Sequence, residues 1–130
     1  MSCLCGSDMS FYHCCHPIIE GRVKALSPEA LMRSRYTAYA KVNIKYILKS
    51  MRGSPKERFN VKEAKLWAKK IKWQGLKVIR SIAQKDTGYV EFEAVYIENK
   101  EKHTLHEISE FKMDNGQWYY VGEVSKWPDV

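Results

Sequence analysis

All four cysteines of this 130-residue chain fall within its first fifteen positions. Cys3 and Cys5 are one residue apart, and after an interval of eight residues Cys14 and Cys15 sit side by side. A run this short buries too little apolar surface to order itself, so it needs a crosslink. Structural Zn²⁺ takes four thiolate or imidazole ligands in a tetrahedron, and a C-x-C pair with a second pair nearby supplies them from one loop. Such ligation adds roughly 10 kcal/mol or more of folding free energy in small zinc modules. Gly6 and Ser7 follow the first pair, where a tight turn is needed and where backbone N–H groups are free to point at sulfur. Ser10 is placed to cap a helical turn over residues 11–15 that brings the second pair back. His13 and His16 flank that pair, and either is an alternative fourth ligand.

Three other readings compete with a zinc site. Two disulfides suit an extracellular mini-protein, but residues 1–15 show neither a charged n-region nor an apolar h-region. A redox site usually takes the form C-x-x-C beside a βαβ pattern, and neither feature is present. A catalytic zinc keeps an open fourth position, which four cysteines close. Structural zinc is therefore the expectation, with disulfides or free thiols as the alternatives.

Length and charge narrow the rest. A chain of 130 residues suits a single core. No apolar run approaches membrane-spanning length, and cysteines used for metal favour a reducing cytoplasm. The net charge of +7 is uneven: Met1–Arg80 holds 17 basic and 5 acidic residues, Ser81–Val130 holds 5 basic and 10 acidic. That asymmetry suits an acidic partner or simply solvates two faces.

Pro17 to Lys24 reads as a linker broken by Gly21. Ser27-Pro28 opens a helix that runs to about Lys41, with serine as cap and proline at the first helical position. Its apolar stripe is Leu31, Ala38 and Val42 with Tyr39 beside them. Arg35 lies on that stripe and must be paired or line a cavity. A second helix covers Ile44 to Met51 and ends at Gly53-Ser-Pro55. A third runs from Val61 to Ile71, with Ala64, Trp67, Ala68 and Ile71 facing inward. Lys62, Lys65, Lys69 and Lys72 line another side. That stripe suits phosphates, but a solvated face is the commoner outcome, so only weak, non-specific nucleic-acid binding is expected of it.

The remainder alternates as four antiparallel strands. Leu76, Val78 and Ile82 mark the first, and Asp86-Thr-Gly88 is its hairpin turn. The others run from about Tyr89 to Glu98, His103 to Met113, and Gln117 to Val124, with Asp114-Asn-Gly116 as the last turn. Helices followed by a twisted antiparallel sheet make an α+β domain.

Several blocks carry a family resemblance. Cys3-Leu-Cys-Gly-Ser-Asp-Met-Ser-Phe-Tyr-His-Cys-Cys15 resembles the SEC-C zinc motif, which also ends the SecA translocase. Leu31-Met-Arg-Ser-Arg-Tyr-Thr-Ala-Tyr39, Leu105-His-Glu-Ile-Ser-Glu-Phe111 and Gly116-Gln-Trp-Tyr-Tyr120 resemble the blocks of the YchJ-like bacterial family. The chain departs from the motif at Leu4, usually proline, and at Asp8 and Met9, usually glycine and lysine. Many relatives carry a second SEC-C copy at the C-terminus, and no cysteine follows Cys15. The resemblance implies a zinc motif and linker over residues 1–22 and a nuclear transport factor 2-like cone over residues 23–130. In that cone three helices pack on a curved four-stranded antiparallel sheet and enclose a pocket.

Within such a cone Glu107 and Ser109 fall in phase with Leu105 and Phe111, so they point inward with Arg35. Tyr39, Trp67 and Trp118 are the aromatic candidates for the same pocket. Glu107 is the candidate general base, and a buried ion pair with Arg35 is the non-catalytic reading of the same residues. His106 falls on the opposite strand face and reads as surface. Two functional classes stay open. One is a binding module whose zinc segment docks a protein or ribosomal partner. The other is a small-molecule or enzymatic pocket. With no nucleophile–base pair, phosphate loop or second metal site in the sequence, the binding module is the expectation.

Overall fold

The computed structural model describes residues 2–129. Its central helix, α2 (Pro28–Ala40), begins as the sequence dictates. Ser27 is the cap, its hydroxyl accepting from the Ala30 N–H at 3.0 Å, and Pro28 occupies the first turn. A single apolar stripe was expected of it, yet Leu31, Met32, Ser34, Arg35, Tyr36, Thr37 and Ala38 are all buried. The reason is that α2 is covered from two sides. One face lies on the sheet, where Tyr36 meets Trp73 edge-on at 5.3 Å, and the other packs against the cysteine segment.

That segment is part of the core. Cys3, Cys5 and Cys15 share one buried cluster with Leu31, Met32, Tyr36, Val90 and Phe111. The chain turns through a 3-10 turn at Phe11–His13 and then α1 (Cys15–Ile19), so the expected linker is helical in its first half. The turn expected to run unbroken from Phe11 to Cys15 is interrupted at Cys14 (φ −118°, ψ −95°). Ser10 makes no side-chain cap; its hydroxyl bonds His13 Nδ1 at 2.9 Å instead.

The remaining helices brace the open side of the sheet. Asn43 caps α3 (Ile44–Lys49), and Asn60 caps α5 (Val61–Lys70), each through its side-chain oxygen. Between them lies α4 (Ser54–Glu57), a single turn where the sequence suggested only a helix end. Proline at its start explains it, because the missing N–H is one that a first turn leaves unused. Lys62, Lys65 and Lys69 are exposed on α5, whereas Lys72 belongs to the first strand and leaves the stripe.

The sheet is a meander in the order β1-β2-β3-β4, with β1 Lys72–Gln84, β2 Thr87–Glu98, β3 Glu101–Asp114 and β4 Gln117–Val124. Register shifts at Trp73/Gly75, Val78/Arg80 and Glu110/Phe111 sharpen its twist and curl it around α2. Asn115 and Gly116 make the last turn with positive φ. The first turn falls at Lys85-Asp86, and Thr87 and Gly88 are already paired to Gln84 and Ala83. Gly88 serves packing: a Cβ there would lie 2.3 Å from Pro28 Cγ at the start of α2.

This close approach makes a testable contrast. Gly88→Ala is expected to destabilise the domain by about 1–3 kcal/mol through overpacking. Gly75→Ala, with nothing within 4 Å of the new methyl, is expected to be neutral or mildly stabilising. Urea denaturation of the two variants measures both.

Candidate metal centre and cone cavity

The cysteine loop is shaped to bring four sulfurs together. Cys3 N–H donates to the Met9 carbonyl at 2.7 Å and Gly6 N–H to the Cys3 carbonyl at 3.2 Å, closing a tight loop. Gly6 has φ +91°, a conformation side chains resist, and a Cβ there would sit 3.2 Å from the Leu76 carbonyl of β1. Arg33 of α2 straps the loop, donating to the Cys5 carbonyl while its Nε pairs with Glu29 at 2.9 Å.

The result is a cluster in which the four Sγ atoms lie within 4.8 Å of one another. Cys5 and Cys14 are 3.6 Å apart and Cys14 and Cys15 3.9 Å. Bonds of about 2.3 Å to a tetrahedral Zn²⁺ give edges of about 3.8 Å, so spacing and donor set both fit a four-coordinate cation. No disulfide joins the four cysteines. His13 and His16 lie outside the group: His13 is exposed beside Ser10, and His16 meets Phe11 and Tyr12 at steep angles with centroids 4.9 Å apart.

A second layer of polar groups faces the sulfurs. Thr37, fully buried on α2, sits 3.4 Å from Cys15 Sγ and 3.7 Å from Cys3 Sγ, and Ser7 lies 3.1 Å from Cys14 Sγ. The Cys15 hydrogen bond, joined by the Ser7 N–H, draws the Cys5 thiol down to about 4. The same bond, together with burial, drives Cys15 up. Without a cation, the cluster therefore holds its protons unequally; a bound cation displaces them. Sequence periodicity did not reveal Thr37, whose signal is a polar residue on a helix face that meets sulfur rather than water.

On the opposite side of α2 the curled sheet encloses a cavity of about 340 Å³. Arg35, Tyr39, Trp67, Glu107 and Ser109 line it, as the phase of α2, α5 and β3 predicts. Trp73, Phe92 and Tyr120 complete its aromatic wall, along with Phe59 from the loop before α5. Trp118 does not. It is 3% exposed and its ring packs in the core, because Trp118 pairs with Met113 near the turn, away from the cavity.

The expected Arg35–Glu107 ion pair does not form. Arg35 Nη1 donates to the Ile47 carbonyl at 2.9 Å and to Ser50 Oγ at 2.6 Å, and the guanidinium lies 4.6 Å above the Tyr120 ring. These contacts draw the side chain toward the end of α3, whose carbonyls attract a cation. Glu107 instead accepts from Ser109 Oγ at 2.7 Å. Burial raises its pKa, the neighbouring Glu123 adds to the rise, and Ser109 and Arg35 oppose it. His106 is on the outer face as expected, where it and Arg80 each meet Glu91 at 2.6 Å.

Two outcomes follow from this geometry. Thr37→Val removes the hydroxyl beside two sulfurs and is expected to weaken metal binding by about tenfold or more in chelator competition. For Glu107, a raised folded-state pKa means that the native protein holds the proton more tightly than the unfolded chain. Its contribution is therefore greatest at low pH and is lost as pH rises through that folded value. Glu107→Gln stays neutral and keeps a partner for Ser109. Its melting temperature relative to wild type is expected to rise between about pH 4 and pH 7.

Comparison with known proteins is consistent with both features. The family model described as YchJ, middle NTF2-like domain, matches residues 27–123. A UPF0225 protein of Geobacter sulfurreducens is 38% identical over 122 residues, spanning 92% of this chain and 76% of the relative. The UPF0225 protein YchJ of Shigella dysenteriae serotype 1 is 36% identical over 121 residues, spanning 92% of this chain and 80% of the relative. Among solved structures, a SEC-C motif containing protein from Rhodopseudomonas palustris superposes with a TM-score of 0.91 at 32% identity, covering 97% of this chain and 99% of its own. By sequence, fold and cysteine cluster together, the chain belongs to the YchJ-like family.

Proposed function

We propose that this protein is a small-molecule-binding cone whose four cysteines hold a structural zinc. The observation that carries the proposal is the cavity between α2 and the sheet. It is mostly apolar and aromatic, with a few convergent polar groups, the make-up of a ligand site rather than of a filled core. Zinc is favoured over other cations by the all-thiolate donor set and the tetrahedral spacing. Four thiolates leave no open coordination position, so its role is to hold the loop against α2, and with it the back wall of the cone. Glu107 is the carboxyl group lining the cavity, and its hydrogen-bond partner there is the Ser109 hydroxyl.

The docking reading has a separate support. Leu4, Met9 and Tyr12 are 51%, 53% and 69% exposed on the cysteine loop. Apolar residues so presented suit a protein or ribosomal surface. The two readings are compatible, since loop and cavity lie on opposite sides of α2. Ribosome co-sedimentation at physiological salt tests docking: Leu4→Glu with Tyr12→Glu abolishes a real interaction while leaving the melting temperature unchanged.

Protein purified without chelator is expected to carry one zinc per chain by elemental analysis. Cys5→Ser and Cys15→Ser are each expected to lose the metal and to melt well below wild type. Zinc content under a tenth of the chain concentration in reduced protein overturns the structural-zinc assignment. Native mass spectrometry of the same sample is expected to show a small organic adduct, absent from a variant with Leu105→Trp filling the cavity.

A further inference from the structure

Among the described residues that line the cavity, Arg35 is the only cation, and it is 9% exposed. Its hydrogen-bond partners, the Ile47 carbonyl and the Ser50 hydroxyl, carry no formal charge, and the Tyr120 ring offers only its face. Among the described residues no carboxylate oxygen lies within 4.0 Å of it. Glu107, the one carboxylate lining the cavity, is bonded instead to Ser109. Burial and Glu123 hold that carboxyl toward its neutral form. A buried guanidinium without a counter-charge is costly, and proteins keep such groups where something else supplies the charge.

Resting on the pocket reading above, we propose that the cavity binds a small monocarboxylic acid with a flat apolar body, its carboxylate seated on Arg35. The charge count selects a monoanion. A phosphate monoester brings about −1.5 to −2 charges against a single cation and leaves the excess buried. A carboxylate is planar and matches the guanidinium fork with two parallel hydrogen bonds. Both hydrogen bonds of Arg35 to protein come from Nη1, which leaves Nε and Nη2 for the ligand. Glu107 lines the cavity from β3, across from Arg35 on α2.

The walls select the body. Of the rings lining the cavity, Trp67 meets Trp73 with centroids 5.9 Å apart and planes 80° apart, and meets Tyr39 at 84°. Rings fixed edge-to-face leave faces and edges free to receive another flat group. A volume near 340 Å³ stands at the small end of the ~300–1,000 Å³ range of ligand sites, which favours one or two rings over a lipid or a nucleotide.

The test is calorimetric titration of the full chain with trans-cinnamate and indole-3-acetate, each paired with its neutral amide. Both acids are expected to bind, and the amides about tenfold more weakly or worse. Arg35→Met, used only if its circular dichroism matches wild type, is expected to bind acid and amide alike. If that variant does not fold, the acid–amide comparison on wild type decides alone. Equal affinity for acid and amide overturns the carboxylate proposal and leaves the pocket reading standing, as does competition by inorganic phosphate as strong as that by cinnamate. If no acid or amide binds and an apolar fluorescent dye does not enter the cavity, both the proposal and the pocket reading fall.

Discussion

The contact between the four-thiol cluster and Thr37 is the hinge of this structure. A helix of thirteen residues with polar groups on most of its turns has little reason to be buried all round. Here most of it is buried because both flanks are occupied, by a curled sheet on one side and by the cysteine loop on the other. Thr37 is tolerated at zero exposure because sulfur is a soft acceptor for its hydroxyl. Ser34, equally buried, is satisfied by the Leu31 carbonyl and the Tyr46 hydroxyl. Arg33 closes the arrangement from the side by tying the Cys5 carbonyl to α2. Cysteine loop, helix and sheet therefore form one body, and the loop is the support behind the cone.

That support accounts for the cavity. A small domain ordinarily fills its interior to near-crystalline density, and an open cavity forfeits contacts along its lining. A helix held from behind does not need every contact in front. The register shifts on β1 and β4 curl the sheet around α2. At the cavity wall Trp67 meets Tyr39 and Trp73 edge-to-face, one of the preferred aromatic arrangements.

The electrostatics of the cavity depend on what α3 offers. Arg35 is carried inward by α2 but drawn sideways by the last turn of α3, where Ile47 and Ser50 present oxygens. The carbonyl end of a helix is favourable to a cation, and the Tyr120 face adds to it. The two ionisable groups, one on α2 and one on β3, thus remain apart. Arg35 is satisfied by neutral groups of α3 and β4, and Glu107 by Ser109 of its own strand.

Much of this was legible in the residues. The four cysteines, crowded into one short run, could order it only by sharing a crosslink, and their spacing specified which atoms meet. Alternation on β3 placed Glu107 and Ser109 inward with Leu105 and Phe111, because a strand has only two faces and one must be apolar. Ser27-Pro28 and Asn115-Gly116 marked a helix start and a turn through local backbone chemistry alone. Tertiary structure decided the rest. Whether Arg35 meets Glu107 depends on which acceptor lies nearer in space, and that acceptor belongs to α3, twelve residues away from Arg35. Trp118 has the phase of a wall residue but sits beyond the end of the cavity, a matter of how far along the strand α2 reaches. The burial of Thr37, and the need for glycine at position 88 beneath Pro28, follow from elements distant in sequence coming within ångströms of each other. No local pattern records such contacts, because they exist only once the loop, the helix and the sheet are packed together.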